Sequence, residues 1–465
     1  MKKLFENSGQ NRLWRQWFAI GLIIITTLGV YSNSFKNEFI WDDDRYVTKN
    51  FTLSTFDGLK KIWFKPGSTI QYYPMTFTSL WVDYHLWNLN PLGYHVVNVI
   101  LHILNAILLW LILRGLKIPG AWVAASVFAL HPVNVESVAW ISERKNVLSG
   151  LFYLSAIMAY LKFSKLDMSS AGESKYISIL SKRAVAPVPG KSYRIYYVLA
   201  LVLYLCALFS KTVTCSLPVA ILLLLWWKRS KVVRKDILPL IPFFLVGLGL
   251  GILTIWMEKY VVRARGAEWT LTLLDRCLIA GRALCFYVGK LFYPYKLTFI
   301  YPRWEINAGV WWQYLFPIAV IVVFVVLWLI REKVGKSPLI AVLFFAVTLF
   351  PALGFIDVYP MRYSFVADHF QYLASIGLIV MSVSGITGVL GQFRLGQKYL
   401  KYVLSIVILL ILVMLTRQQT QIYKNAETLW RDTITKNPYS WLARNNLGVL
   451  LYDSKRYDEA EKEYR

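Results

Sequence analysis

Long uncharged apolar runs constrain this chain more than any other feature. They cover about 17–31, 198–209, 217–227, 238–255, 311–330, 339–356 and 402–415. A hydrocarbon core about 30 Å thick is crossed by about 20 apolar residues in a helix. A helix also satisfies every backbone polar group inside the bilayer. The runs therefore predict an all-α, polytopic membrane helical bundle. The first run is too long, and too poorly followed by small residues, for a cleaved signal peptide, and reads as an anchor helix.

The charge pattern gives that bundle an orientation. Lys+Arg number 51 against 26 Asp+Glu, a net charge of +25. The excess lies between the apolar runs: Arg12 and Arg15 before the first, then Arg114 and Lys117, then a long polar loop ending at 184–190, then Lys228, Arg229, Lys231, Arg234 and Lys235. Arg331, Lys333 and Lys336 form a further cluster, and Arg394, Lys398 and Lys401 another. Placed together in the cytoplasm, these loops obey the positive-inside bias. The basic balance is then topology and attraction to membrane lipid, and a nucleic-acid partner is not expected.

About eleven crossings follow, near 15–34, 93–113, 121–139, 146–163, 195–209, 212–227, 237–256, 311–330, 338–356, 370–389 and 401–416. The N-terminus is expected in the cytoplasm, and a large first outer loop spans 35–91, with an interfacial helix at 72–87. The segment 272–293 is apolar but carries Asp275, Arg276, Arg282 and Lys290, so it reads as a helix lying at the outer interface. Residues 1–420 make the transmembrane domain and 421–465 a soluble helical region. There, Trp441-Leu442-Ala443 with Gly448, and Tyr457-Asp458-Glu459-Ala460 with Tyr464, have tetratricopeptide spacing. Such repeats have a period of about 34 residues and need about three neighbours to bury a core. One unit here predicts either a truncated chain or a unit packed on the membrane domain.

Polar groups that could carry chemistry gather in the expected outer loops. The triplet Asp42-Asp43-Asp44 follows the first crossing. Adjacent carboxylates repel, which raises one pKa and suits a general base; a turn with a helix N-cap would use the same residues. The tip 131–145 holds His131, Glu136, Glu143, Arg144 and Lys145. Arg144 and Lys145 could grip a phosphate, or the tip could be an ordinary solvated loop. Lys211 lies between two apolar runs, as a connector or an anion site. Arg362, Asp368 and His369 precede the tenth crossing, as a site or a structural ion pair. The four cysteines contain no CxxC pair, and no Walker loop, GxGxxG or HExxH occurs. No cofactor is expected; a divalent metal is possible but not indicated.

Several blocks in order resemble one family. They are Trp41-Asp42-Asp43, then Gly93-Tyr94-His95-Val96-Val97-Asn98 through His102, then 131–145, then Phe209-Ser210-Lys211, then Asp368 with Gln371-Tyr372-Leu373 through Ser375-Ile376-Gly377. The chain resembles membrane proteins that join a GT-C glycosyltransferase core to C-terminal tetratricopeptide repeats. These include bacterial members and the eukaryotic transmembrane O-mannosyltransferases with such repeats. The resemblance implies a polyprenyl-phosphate-linked sugar donor, with a hexose such as mannose moved to a hydroxyl acceptor, expected to be protein. It implies catalysis on the outer face of a bacterial inner membrane, the repeats on the same side. Carried over by position, Asp43 is expected as the base with Asp42 in support, and Arg144, Lys145 and Lys211 as donor-phosphate ligands. His131, Glu136 and Asp368 are further site candidates. The family pattern has an Arg after the acidic residue, where this chain has His369, and a Pro where it has Ala374. His369 or Arg362 would then replace that Arg. The rival reading is a non-catalytic, membrane-anchored tetratricopeptide scaffold for envelope assembly.

Overall fold

A computed structural model describes residues 2–166, 191–266, 269–391 and 398–465. The polar loop ending at 184–190 and the Arg394 part of the last basic cluster lie outside the described residues. The helices are α1 (Lys2–Tyr31), α2 (Phe56–Phe64), α3 (Pro74–Trp87), α4 (Pro91–Gly115), α5 (Ala121–Leu130), α6 (Val135–Ala139) and α7 (Arg144–Phe163). They continue with α8 (Lys191–Ser210), α9 (Leu217–Arg229), α10 (Arg234–Ile237), α11 (Ile241–Tyr260), α12 (Leu273–Phe292), α13 (Leu315–Val334) and α14 (Ser337–Leu349). Last come α15 (Ser375–Leu390), α16 (Lys398–Thr420), α17 (Ala426–Lys436), α18 (Trp441–Asp453) and α19 (Tyr457–Tyr464). Among the described residues there is no strand, so the all-α expectation holds.

Among the described residues, seven helical stretches are long and apolar enough to cross a membrane, and four shorter apolar helices occupy the other expected crossings. Composition does not separate inner from outer helices. The apolar windows of α4 and α13 have mean hydropathies of 2.5 and 2.6, yet 61% of one is buried and 6% of the other. The centre is instead marked by polar residues. On α4, Asn105 Nδ2 donates to Val147 O at 2.8 Å and to Tyr372 OH at 2.9 Å. His102 Nδ1 lies 2.7 Å from the same hydroxyl, and its Nε2 lies 3.0 Å from Ala129 O. Such bonds stitch α4 to α5, α7 and the segment that leads into α15.

Three expected crossings are shorter than the sequence pattern implies. The crossing at 121–139 breaks after Leu130, because Pro132 excludes helical conformation at His131, which is extended (φ −81°, ψ 129°). Residues Pro132–Asn134 and α6 then fold back into the bundle. Pro351 likewise sits in the 3₁₀ turn that ends α14. The expected crossing at 370–389 starts only at Ser375, since Asp368–Gln371 forms a 3₁₀ turn. The segment 272–293 is helical as α12, opened by a capping box in which Thr272 and Asp275 bond each other's backbone N–H. Its buried stripe Ile279, Ala283, Tyr287 and Leu291 repeats every four residues.

The C-terminal helices dock on the bundle. Lys436 Nζ donates to Leu297 O at 2.8 Å and Asn437 Nδ2 to Ile300 O at 3.1 Å. The Trp430 ring packs 5.6 Å from that of Trp41. Helices α18 and α19 pair where Gly448 meets Tyr464: a Cβ there would lie 2.6 Å from the Tyr464 ring.

Candidate active site

The acidic triplet forms a tight turn. Asp43 N donates to Ile40 O, and Ile40 N returns a bond to Asp43 Oδ2, both at 2.9 Å. The turn forces Trp41 into left-handed backbone conformation (φ +42°), which is rare for a bulky residue and held here by its neighbours. The Trp41 ring stacks on Trp140 at 5.8 Å and meets Phe299 and Trp430 edge-on.

This turn separates the two candidate carboxylates. Asp43 is fully buried, and its Oδ1 accepts from Ser142 N at 2.8 Å and from Ser142 Oγ. It clamps the first loop to the 131–145 tip. Burial pushes its carboxyl up to about 7, against the three donors that favour the charged form. Repulsion from Asp42 is the smallest of the contributions, so burial rather than adjacency perturbs it. Asp42 instead lines a cavity of about 220 Å³. Among the described residues nothing donates to its carboxylate. Burial raises its pKa too, while Lys145 and Arg45 oppose the rise.

A buried ion cluster forms one wall of the cavity. Glu143 is its hub: Lys145 Nζ lies 2.7 Å from Oε1, Lys211 Nζ 3.4 Å from Oε2, and Asn146 Nδ2 donates to Oε2 at 2.6 Å. Lys211 also donates to Asn146 Oδ1 at 2.7 Å. Burial lowers the Lys211 pKa to about 8 despite Glu143. His369 donates its backbone N–H to Glu136 Oε2 at 3.0 Å. Its Nδ1 is 3.0 Å from Glu136 Oε1, close enough for an ion pair but out of line for a hydrogen bond. Its Nε2 is 3.9 Å from Glu143 Oε1.

The cluster extends along residues with no motif in the sequence. Lys145 Nζ donates to Tyr46 OH at 3.2 Å, Tyr46 OH to Gln71 Oε1 at 2.6 Å, and Gln71 Nε2 to Glu258 Oε1 at 3.1 Å. Glu258 Oε2 accepts from Tyr359 N at 3.1 Å. Past this wall the cavity becomes apolar along Gly251, Ile255, Val262 and Ile356, beside the exposed face of α11.

Other expected ligands point elsewhere. Arg144 is fully buried but does not line the cavity. Its guanidinium bonds Asn98 Oδ1, Ser79 Oγ at 2.8 Å, Asp83 Oδ2 at 2.7 Å and Tyr94 O at 2.9 Å. These acceptors take four of its five N–H donors, and they join α3, α4 and α7. Arg362 places its guanidinium 5.6 Å from the Trp441 ring, outside the cavity lining. His131 caps the Pro132–Asn134 turn and sits 2.9 Å from Leu291 O, tying it to α12. Asp368 accepts from Tyr301 OH at 3.0 and 3.1 Å, and burial raises its pKa well above the carboxyl range.

The cavity thus gathers Asp42, Glu136, Lys145, Lys211 and His369 of the expected set. It adds Glu143, Tyr46, Gln71 and Glu258. Glu143 was one of the tip's charges. Glu258, an acid closing a membrane-length apolar run, carried a weak signal, and the other two carried none.

No protein-family model matches the chain, and no solved structure matches it. Curated proteins do. Over 155 residues it is 32% identical to protein O-mannosyl-transferase tmtc2 of Xenopus laevis, covering 31% of this chain and 18% of that protein. Over 160 residues it is 29% identical to protein O-mannosyl-transferase TMTC3 of Mus musculus, covering 32% and 17%. Over 177 residues it is 27% identical to protein O-mannosyl-transferase TMTC4 of Homo sapiens, covering 32% and 24%. The chain spans about a fifth of the length of these relatives. The resemblance read from the ordered sequence blocks is borne out by these matches: over about a third of its length the chain is similar to protein O-mannosyl-transferases.

Proposed function

We propose that this chain is an integral membrane glycosyltransferase. It moves a sugar, a hexose such as mannose, from a polyprenyl-phosphate-linked donor to a hydroxyl of a protein acceptor. The observation that carries this reading is the division of the cavity. An unpaired carboxylate, Asp42, shares one enclosed space with the cations Lys145 and Lys211 and with His369. The O-mannosyl-transferase relatives support the reaction class.

The acceptor oxygen attacks the sugar C1 while the bond from C1 to the phosphate oxygen breaks. The proton of the acceptor passes to Asp42, whose raised pKa suits the base. The electron pair leaves with the phosphate, which Lys145, Lys211 and His369 stabilise. This assigns the base to Asp42 and makes Asp43 a positioning residue. Glu143 holds the two lysines ready. The apolar extension of the cavity beside α11 accommodates the first isoprene units. The site and the C-terminal hairpin would face the extracytoplasmic side of a bacterial plasma membrane, with the N-terminus inside.

A second reading keeps the bundle as an anchor for a protein-binding hairpin. It draws on the exposed Tyr439, Tyr452 and Tyr457. Transfer from radiolabelled polyprenyl-phosphate sugars in purified membranes separates the two. Transfer by the wild type that is lost in Asp42→Asn supports the enzyme. No transfer from any of several donors favours the anchor.

A further inference from the structure

The helices that meet at the candidate active site also enclose a second cavity at their far ends. Helix α4 runs from Tyr94 and Asn98, beside Arg144, to Gly115. Helix α7 runs away from Arg144 itself, and α9 away from the Lys211 turn. Where they end, Leu113, Leu116, Ile157 and Leu224 join Phe344 on α14 and Met381 on α15 around about 510 Å³. That is within the usual range of ligand cavities, about 300–1,000 Å³. The wall is almost wholly aliphatic and aromatic, and no carboxylate lines it.

The rim has the opposite character. Lys117 and Lys228 both line it. Lys228 Nζ gives one N–H to Leu116 O at 2.7 Å and lies 3.9 Å from the Trp227 ring centre, while Trp227 Nε1 donates to Ser337 Oγ at 2.9 Å. An ammonium has three donors, so this ordered lysine keeps others for a ligand. Trp beside Lys at the end of a crossing marks headgroup depth.

We propose that this cavity binds an anionic glycerophospholipid, one acyl chain inside the aliphatic walls and the headgroup phosphate between Lys117 and Lys228. One molecule can fill both, because the apolar cavity and the cationic rim share one lining. Basic pockets between membrane helices recognise anionic headgroups in this way. The proposal stands whether or not the chain transfers a sugar. A phosphate lipid that donates a sugar would have to place its phosphate at the other end of the bundle, so the lipid held here is not consumed.

The test is native mass spectrometry of the delipidated full chain titrated with phosphatidylglycerol, phosphatidylcholine or a polyprenyl phosphate. We expect roughly 10–30-fold tighter retention of phosphatidylglycerol than of phosphatidylcholine from two lysines near a phosphate. Lys117→Gln with Lys228→Gln should abolish that preference. Gly385→Leu should abolish retention of both phospholipids. Gly385 lines the cavity, and a Cβ there meets no atom within 4 Å, so the new side chain fills space without a clash. Equal retention of both phospholipids by the wild type overturns the proposal, as does full retention by Gly385→Leu. Displacement of phosphatidylglycerol by equimolar polyprenyl phosphate overturns the choice of lipid.

Discussion

Arg144 and Lys145 are neighbours at the start of one helix, both buried and both paired with a carboxylate, yet they serve different regions. The Arg144 region is closed: its guanidinium meets four acceptors, and only protein surrounds it. The Lys145 region is open: Lys145, Lys211 and His369 share Glu143, and all of them line a cavity. A buried charge held on several sides by protein acceptors rigidifies a fold. A buried cluster whose lysines line a cavity can still turn N–H donors toward a bound anion. Residue type and burial are nearly the same in both regions, so the difference lies in what remains unsatisfied.

The sharpest way to break this contrast is Asp42→Asn. It should reduce transfer by about 10²–10⁴-fold, the usual contribution of a general base, while leaving thermal stability unchanged. A stability loss without an activity loss would move Asp42 to the closed region. Arg144→Met should do the reverse, since it leaves Asp83 buried and unpaired. The expected cost is about 3–5 kcal/mol, read as a fall in melting temperature or loss of detergent-stable protein. Arg144→Lys should not restore it, because one ammonium cannot reproduce the planar fork. Asp43→Asn should sit between them. Its new amide faces the Ile40 and Ser142 N–H donors, at a cost of about 1–3 kcal/mol, with activity falling only as far as the turn loosens.

The smallest effect is on pH dependence. Transfer should rise as Asp42 deprotonates above the ordinary carboxyl range and fall as Lys211 loses its proton near 8. The alkaline limb should appear as a rising KM for the donor and vanish in Lys211→Arg. For stability the sign is different. The folded chain releases the Lys211 proton near 8 and the unfolded chain near 10.5, so between these values the unfolded chain binds more protons. This group's contribution to stability therefore increases with pH across that window. A flat KM from pH 7 to 10 would remove Lys211 from donor binding.

Much of this molecule was legible in its sequence. The apolar runs specify helices because no other local structure hides its backbone from lipid, and each expected crossing contains a helix, three of them shorter than expected. The ordered motif blocks pointed to the 42–44 turn, the 131–145 tip and Lys211, and all three reach one cavity. Individual roles were not legible. Successive residues on a helix point about 100° apart, so Arg144 and Lys145 necessarily face different neighbours. Which neighbour is polar depends on α3 and α4, whose residues lie 46 to 65 positions away in the chain. Gln71 and Glu258, bonded at 3.1 Å, are separated by 187 residues, and no short-range pattern joins them.

The sequence alone determined element type and the region of the site, because these follow from local composition and short-range order. Only the tertiary structure decided that Asp43 is a clamp and Asp42 is exposed to the cavity. It alone decided that α4 is central and α13 peripheral at equal hydropathy. A side chain's function is set by which of its hydrogen bonds remain open, and those bonds are made or left unmade by residues far away in the chain.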